Sequence, residues 1–178
     1  MTENELISGC KAQNRKAQKR LYEQYAPIML GICRRYVKNQ EDAEDVLLEA
    51  FYKIISNIGQ YEGKGSFEGW MKRITINESL MYLRKKRNFM LNIDAIQVTL
   101  KDDQNSEEAL FEKDILKVLD QMPLGYKTIF NLYVIEGYKH REIAEKLNIS
   151  INTSKSQLIQ ARRKMATLLK KNRIAASA

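Results

Sequence analysis

Carboxylates crowd one short stretch of this chain. Glu41, Asp42, Glu44 and Asp45 stand together, and Glu49 follows one turn later. Grouped carboxylates can ligate a divalent cation or exchange protons with a substrate. No histidine supplements them: His140 is the only one in the chain, so a histidine-based metal site or a catalytic triad is nearly excluded. The same carboxylates would fill the first turns of a helix, where the macrodipole favours them without further purpose. Three readings therefore stand, namely acid–base or metal chemistry, plain helix-start chemistry, and a face that docks another protein. The docking face is favoured.

A second constellation mixes rings and cations. Tyr61, Phe67, Trp70 and Tyr82 are interleaved with Lys64, Lys72, Arg73 and the cluster Arg84-Lys85-Lys86-Arg87. Aromatic side chains beside cations are how proteins hold unstacked bases and follow a single strand. Phe67 and Trp70 are also expected as core anchors, each of them largely buried. Gly63 and Gly65 in the loop just before them let backbone approach a ligand closely.

A third lies near the C-terminus. Between Ser150 and Arg173 there is no Asp or Glu, while Lys and Arg recur. A solvated surface helix normally mixes both signs. A face of one sign suits a polyanion, because neutralising phosphates releases counterions.

These residues need elements to hold them. The run from Gly137 to Leu147 reads as a short amphipathic helix, Asn148-Ile149-Ser150 as a turn, and Ile151 to Leu169 as a longer helix with Ser150 as its N-cap. Its inner stripe is Ile151, Ser154, Leu158, Ala161, Met165 and Leu168, and the opposite face carries Asn152, Lys155, Ser156, Gln160 and Arg163. This is a helix-turn-helix whose second helix can reach phosphates and base edges in a major groove.

Further upstream, residues 13–38 read as helix, bent or restarted at Pro27. Asn39 caps another that buries Val46, Leu47, Ala50, Phe51, Ile54, Ile55 and Ile58. A loop from Gly59 to Ser66 leads into a helix from Phe67 to about Arg87. Residues 90–106 lose periodicity and read as an acidic, flexible linker. The second domain opens near Ser106, with Leu110, Ile115, Val118, Leu119 and Met122 inward and Pro123 and Gly125 ending that helix. A further helix from Tyr126 to Glu136 buries Ile129, Phe130, Tyr133 and Val134.

Composition agrees with two domains. The 178 residues carry a formal charge of +8 and a pI near 9.4, which favours a nucleic acid or another anionic surface. Residues 1–90 hold 16 basic and 11 acidic side chains, residues 91–110 hold one and five, and residues 111–178 hold 13 and six. Two basic bodies flank an acidic strip. The two cysteines, Cys10 and Cys33, form no CxxC pair and read as reduced thiols or small core fillers. No apolar run approaches the ~20 residues of a membrane span, and no signal peptide opens the chain. A cytoplasmic, all-α protein of two small helical domains is expected.

In this order the motifs resemble an extracytoplasmic-function (ECF) sigma factor of bacterial RNA polymerase, over roughly 13–89 and 107–170. Leu21-Tyr22-Glu23-Gln24-Tyr25-Ala26-Pro27 resembles the family's opening. Asp42-Ala43-Glu44-Asp45-Val46-Leu47-Leu48-Glu49-Ala50-Phe51 resembles region 2.2, which docks on the β′ clamp helices. Phe67-Glu68-Gly69-Trp70-Met71-Lys72-Arg73-Ile74, with Asn77 and Tyr82-Leu83-Arg84, resembles regions 2.3 and 2.4, which open and read the −10 element. Ile143 to Ser150, followed by Thr153, Lys155, Ser156, Leu158, Ala161 and Arg162, resembles region 4.2, which reads the −35 element.

The resemblance implies a polymerase-binding set of Asp42, Asp45, Leu48, Glu49 and Tyr52. It implies a −10 set of Tyr61, Lys64, Gly65, Ser66, Phe67, Trp70, Arg73, Asn77 and Arg84. The −35 set is Ser150, Asn152, Thr153, Lys155, Ser156, Gln157, Gln160 and Arg163. It makes the chain a dissociable subunit with no catalytic residue, metal or cofactor of its own. Its partners would be core polymerase (β′ clamp helices and β flap), promoter DNA and an anti-sigma factor. The boundaries implied are 1–89 for the region 2 domain, 90–106 for the linker and 107–178 for the region 4 domain. Departures occur where the family often has Gln (Leu48), a polar residue such as Asp (Met81), Val (Ser154) and Arg (Gln157). They bear on which promoter is read more than on the activity. The rival is a helix-turn-helix regulator with a dimerising or sensing N-terminal domain, which would bind duplex DNA unaided.

Overall fold

The computed structural model describes residues 2–86 and 117–176. Among these, every regular element is helical. The chain divides into two compact units, Met1–Lys85 and Lys86–Ala178. The expected acidic linker, with Leu110, Ile115 and Arg87, lies outside the described residues.

The first unit contains α1 (Glu3–Lys11), α2 (Arg15–Tyr36), α3 (Gln40–Asn57), a 3-10 turn (Ile58–Gln60) and α4 (Phe67–Lys85). Helix α1 is a correction to the sequence reading, which began its first helix at residue 13. Its signal was present: the Thr2 hydroxyl accepts from the Glu5 amide while the Glu5 carboxylate accepts from the Thr2 amide, a reciprocal cap. Leu6, Ile7 and Cys10 form its buried face. Gly9 lets the helix lie close to α2, since a Cβ there would stand 2.7 Å from the Ala17 Cβ.

Helix α2 starts on Asn14, whose side chain accepts from the Lys16 and Ala17 amides. It does not restart at Pro27. Pro27 is exposed, and so is Glu23, whose carbonyl one turn back loses the donor that proline lacks. Leu21, Tyr25, Met29, Ile32, Cys33 and Tyr36 meanwhile keep one buried stripe through the site. Asn39 caps α3 as expected, accepting from the Asp42 amide at 2.9 Å.

Helix α4 packs against both α2 and α3. Its buried face includes two hydroxyls, and both are satisfied within the helix. Thr75 donates to the Met71 carbonyl at 3.0 Å and Ser79 to the Thr75 carbonyl at 2.9 Å. Lys53 of α3 pairs with Glu78 of α4 at 2.7 Å across the helix–helix seam.

In the second unit, helical residues 117–120 are followed by α5 (Leu124–Phe130), a π-helical turn (Asn131–Ile135), α6 (His140–Leu147) and α7 (Ile151–Ala176). Val118, Leu119, Met122, Ala161 and Leu168 form a core against which Tyr126, Phe130 and Met165 pack. Pro123 is the N-cap of α5, and Gly125 is buried in its first turn. They open that helix, whereas the sequence reading used them to end the one before. A proline suits a helix start because its missing N–H has no partner there anyway. Lys127 is buried and reaches the Asp120 carboxylate at 2.5 Å.

Helices α6 and α7 form the expected helix-turn-helix and pack on each other. Asn148 closes α6 in the left-handed region (φ 54°, ψ 49°). The Ser150 hydroxyl caps α7 by accepting from the Thr153 amide at 2.9 Å. Helix α6 begins at His140 rather than Gly137, whose φ of 76° breaks the helix. Two expected core residues are exposed, Val134 and Ile151. Val134 sits in the π turn, where the wider spacing rotates it off the α-helical face. Ile151 is in the first turn of α7, beyond the edge of the core.

Candidate nucleic-acid interface

The fold gathers the carboxylates of α3 on its solvent side. Asp45, Leu48, Glu49 and Tyr52 are all exposed and spaced as one helical stripe. Leu48 is 57% and Tyr52 71% exposed, unusual for apolar side chains on a well-packed helix. Asp42 sits at the edge of this stripe, half-buried. The Gln40 amide donates to Glu44 at 2.9 Å. The carboxylates fan along the helix instead of converging. Among the described residues, no group of three His, Cys, Asp or Glu side chains is arranged to hold a metal ion.

The loop between the 3-10 turn and α4 is built on Tyr61. Its hydroxyl donates to the Gly65 carbonyl at 2.8 Å, and its own carbonyl accepts from Lys11 Nζ of α1 at 2.8 Å. Its ring packs on Phe67 and Trp70 with centroids at 5.0 and 5.7 Å. Phe67 and Trp70 stack at 5.8 Å. Tyr61 is 8% and Phe67 0% exposed, so neither of these two expected −10 residues presents its ring to solvent. They are the floor that shapes the loop. Lys11 was missed because α1 was missed.

What the loop offers to solvent is residues 62–66, all exposed, with Gly63 and Gly65 at φ 77° and 85°. A Cβ at either glycine would meet open space, so backbone conformation is the reason for glycine there, not crowding. Ser66 caps α4, accepting from the Gly69 amide at 3.2 Å. Beyond it, half-buried Trp70 and exposed Arg73, Asn77 and Arg84 share the outer face of α4, while Met71, Thr75, Ile76, Ser79 and Leu83 face inward. Two of the expected phosphate-binding cations have carboxylate partners: Lys64 with Glu62 and Lys72 with Glu68, each at 2.6 Å. Pairs this exposed are worth at most about 1 kcal/mol, so a phosphate can displace either carboxylate.

On α7, Asn152, Lys155, Ser156, Gln160 and Arg163 are exposed, as is Ser150 before it, while Thr153 and Gln157 are half-buried. The outer face is thus mainly polar and basic, with Ile159 exposed in its middle and Ile151 and Leu169 exposed towards its two ends. Arg162 lies over the Tyr133 ring at 5.9 Å. Ser154, fully buried, bonds to His140 Nδ1 of α6 at 2.9 Å. That partner explains a polar residue on the inner stripe, which the sequence alone did not.

Two helical units, one exposing an acidic and apolar stripe beside a glycine loop and the other a basic helix-turn-helix, define a protein that joins DNA to another macromolecule. The comparisons agree. Residues 21–89 match the family model Sigma-70 region 2, and residues 112–165 match Sigma-70, region 4. The chain is 31% identical over 137 residues to RNA polymerase sigma factor SigV of Bacillus subtilis, covering 76% of this chain and 81% of that one. It is 26% identical over 175 residues to the ECF RNA polymerase sigma-E factor of Haemophilus influenzae, covering 91% and 92%. Among solved structures, the sigma factor RpoE in complex with the anti-sigma factor NepR from Bartonella quintana aligns with a TM-score of 0.54. Identity there is 20%, over 85% of this chain and 96% of that one. This chain belongs to the ECF sigma factors of bacterial RNA polymerase. It binds core polymerase and promoter DNA and directs transcription initiation.

Among the described residues, no helix is long and apolar enough to cross a membrane.

Proposed function

We propose the following division of labour. The α3 stripe of Asp45, Leu48, Glu49 and Tyr52, with Asp42 at its edge, docks on the β′ clamp helices. Residues 62–66 receive an unstacked base of the −10 element, and Trp70, Arg73, Asn77 and Arg84 guide the strand away. Tyr61 and Phe67 hold that loop in shape from beneath. The outer face of α7, with Ser150, Asn152, Thr153, Lys155, Ser156, Gln157, Gln160 and Arg163, enters the −35 major groove. Residues 1–89 act as the polymerase and −10 domain, 107–178 as the −35 domain, and 90–106 as their linker. The chain works in the cytoplasm as a binding subunit without catalysis of its own. An anti-sigma factor covers these surfaces when the chain is idle, and the relative solved with its anti-sigma factor supports that.

The observation that carries this reading is the loop. Opening duplex costs stacking energy at every step, and an extruded base needs groups that replace what it lost. Exposed backbone at two positive-φ glycines, above a rigid aromatic floor, supplies a place for it. A duplex-binding regulator has no use for such a place. The test is Lys64→Glu with Gly65→Pro, since proline is locked near φ −65° and cannot take the φ of 85° found there. The variant should still bind core polymerase and still protect the −35 element, yet leave −10 thymines unreactive to permanganate. Normal opening would reduce residues 61–66 to a connector.

A further inference from the structure

Ser154 is the one polar side chain on the buried face of α7 that is completely enclosed among the described residues. It sits directly before Lys155, on the helix assigned to the −35 groove. Its partner comes from the other helix of the motif: His140 Nδ1 at 2.9 Å, from the first residue of α6. The His140 ring is fixed in turn. It stacks on Tyr133 with centroids 4.4 Å apart and planes 26° from parallel. Tyr133 is covered on α7 by Arg162, at 5.9 Å. Contacts therefore run from α7 at Arg162, through Tyr133 and His140, and back to α7 at Ser154. The two points of attachment lie eight residues apart, a little over two turns. A helix held at two such points has its roll about its own axis defined. Apolar contacts alone define roll weakly, because they tolerate sliding, whereas a hydrogen bond has a direction.

We propose that His140 is a positioning residue for promoter recognition, which sets the roll of α7 through Ser154 and thereby the base edges that the adjoining outer face reaches. This rests on the reading that α7 lies in the −35 groove. The role differs from plain stabilisation. If the His140 bond is lost, the Ser154 hydroxyl can turn to the carbonyl of Ser150 one turn back on its own helix. The buried oxygen then keeps a partner, and what is lost is direction rather than a satisfied group. Burial first, then the positive charges of Lys155 and Arg162, holds the His140 pKa below its ordinary 6.5. The ring is thus neutral at pH 7, and Nδ1 can take either role towards the hydroxyl.

The test uses the full chain assembled with core polymerase and a promoter pool randomised at the −35 element. Two variants separate ring from bond. His140→Phe keeps the ring for stacking on Tyr133 and removes the hydrogen bond. His140→Asn removes the ring but places an amide near the position of Nδ1. We expect His140→Phe to blur the selected −35 sequence, lowering discrimination roughly fivefold, the worth of about one hydrogen bond. His140→Asn should select the same sequence as the unmodified chain. A purely stabilising residue would weaken binding to every sequence alike and leave the preference unmoved. An unchanged preference in His140→Phe, or one lost equally in His140→Asn, overturns the inference. Lys155→Ala run in parallel keeps the two failures apart. If its salt dependence matches the unmodified chain, the groove assignment falls and takes the inference with it. If its salt dependence is shallower while the His140→Phe preference is unchanged, only the positioning role falls.

Discussion

Replacing Leu48 and Tyr52 together by alanine should separate polymerase binding from folding. Both side chains stand on the solvent face of α3, and both are replaced by the best helix former. Exposed substitutions of this kind shift stability by about 0.5 kcal/mol or less. Their value in an interface follows from what they still leave in water. Fully burying a leucine is worth about 1.5–3 kcal/mol. Leu48 has 57% of its surface unburied, so a partner can gain about 1–1.5 kcal/mol there. An aromatic side chain buries roughly 200 Å², and Tyr52 is 71% exposed, which leaves about 3.5 kcal/mol at ~25 cal/mol/Å². These are ceilings, because association also costs side-chain ordering and imperfect desolvation of polar groups. About half of the combined ceiling, roughly 2–2.5 kcal/mol, corresponds to a loss of roughly 30- to 60-fold in affinity. Titrating labelled chain with core polymerase and following anisotropy reads that loss directly, and circular dichroism checks the fold. Charge reversal at Asp45 and Glu49 should add a salt-dependent part to it. A folded double variant that binds within about threefold of the parent would refute the assignment of this face, since it would mean that neither side chain is desolvated in the complex.

Lys155→Ala should make the salt dependence of −35 binding shallower by about one unit of slope, and Gln160→Ala should change base preference without changing the slope. Competition titrations at several salt concentrations measure both. Asp120→Ala should destabilise the second unit by about 1–2 kcal/mol in urea unfolding, because it leaves the Lys127 ammonium buried alone; Lys127→Met should cost less. The figure is kept low because the Asp120 carboxylate is itself half in water. Burial pushes the Cys33 thiol up to about 11 and also raises Cys10. Neither should react with a thiol reagent at pH 8 while the first unit is folded, and both should react once urea unfolds it. Rapid labelling of either in the native protein would contradict the packing described.

Much of this architecture was legible because helices announce themselves. Asn39 and Ser150 signalled two helix starts, and the 3-4 spacing of apolar residues marked the inner faces of α3 and α7. Helix α1 was overlooked although Thr2 and Glu5 mark its cap, since nine residues give periodicity little room. Pro27 misled in the other direction. Propensity disfavours proline inside a helix, but at an exposed position the lost hydrogen bond is replaced by water while buried residues on both sides hold the helix together. Of the candidate site, the outer face of α7 was readable from helical geometry, whereas the residues on α3 and α4 came from the family resemblance. The burial of Phe67 was expected as that of a core anchor, but the burial of Tyr61 was not, because an aromatic near cations looks the same in sequence whether it stacks on a base or under a loop. The partnership of His140 with Ser154 joins residues on two helices, and only their packing brings the two atoms together.

This chain should give core polymerase a promoter that polymerase alone cannot open. Transcribing genomic DNA in vitro with core polymerase, with and without the chain, and mapping every start site tests it most directly. The expected result is a new set of starts that appears only with the chain and shares one pair of upstream elements, spaced as −35 and −10. If no new starts appear while the chain binds duplex DNA unaided as a dimer at paired half-sites, the account is contradicted and the regulator reading takes its place.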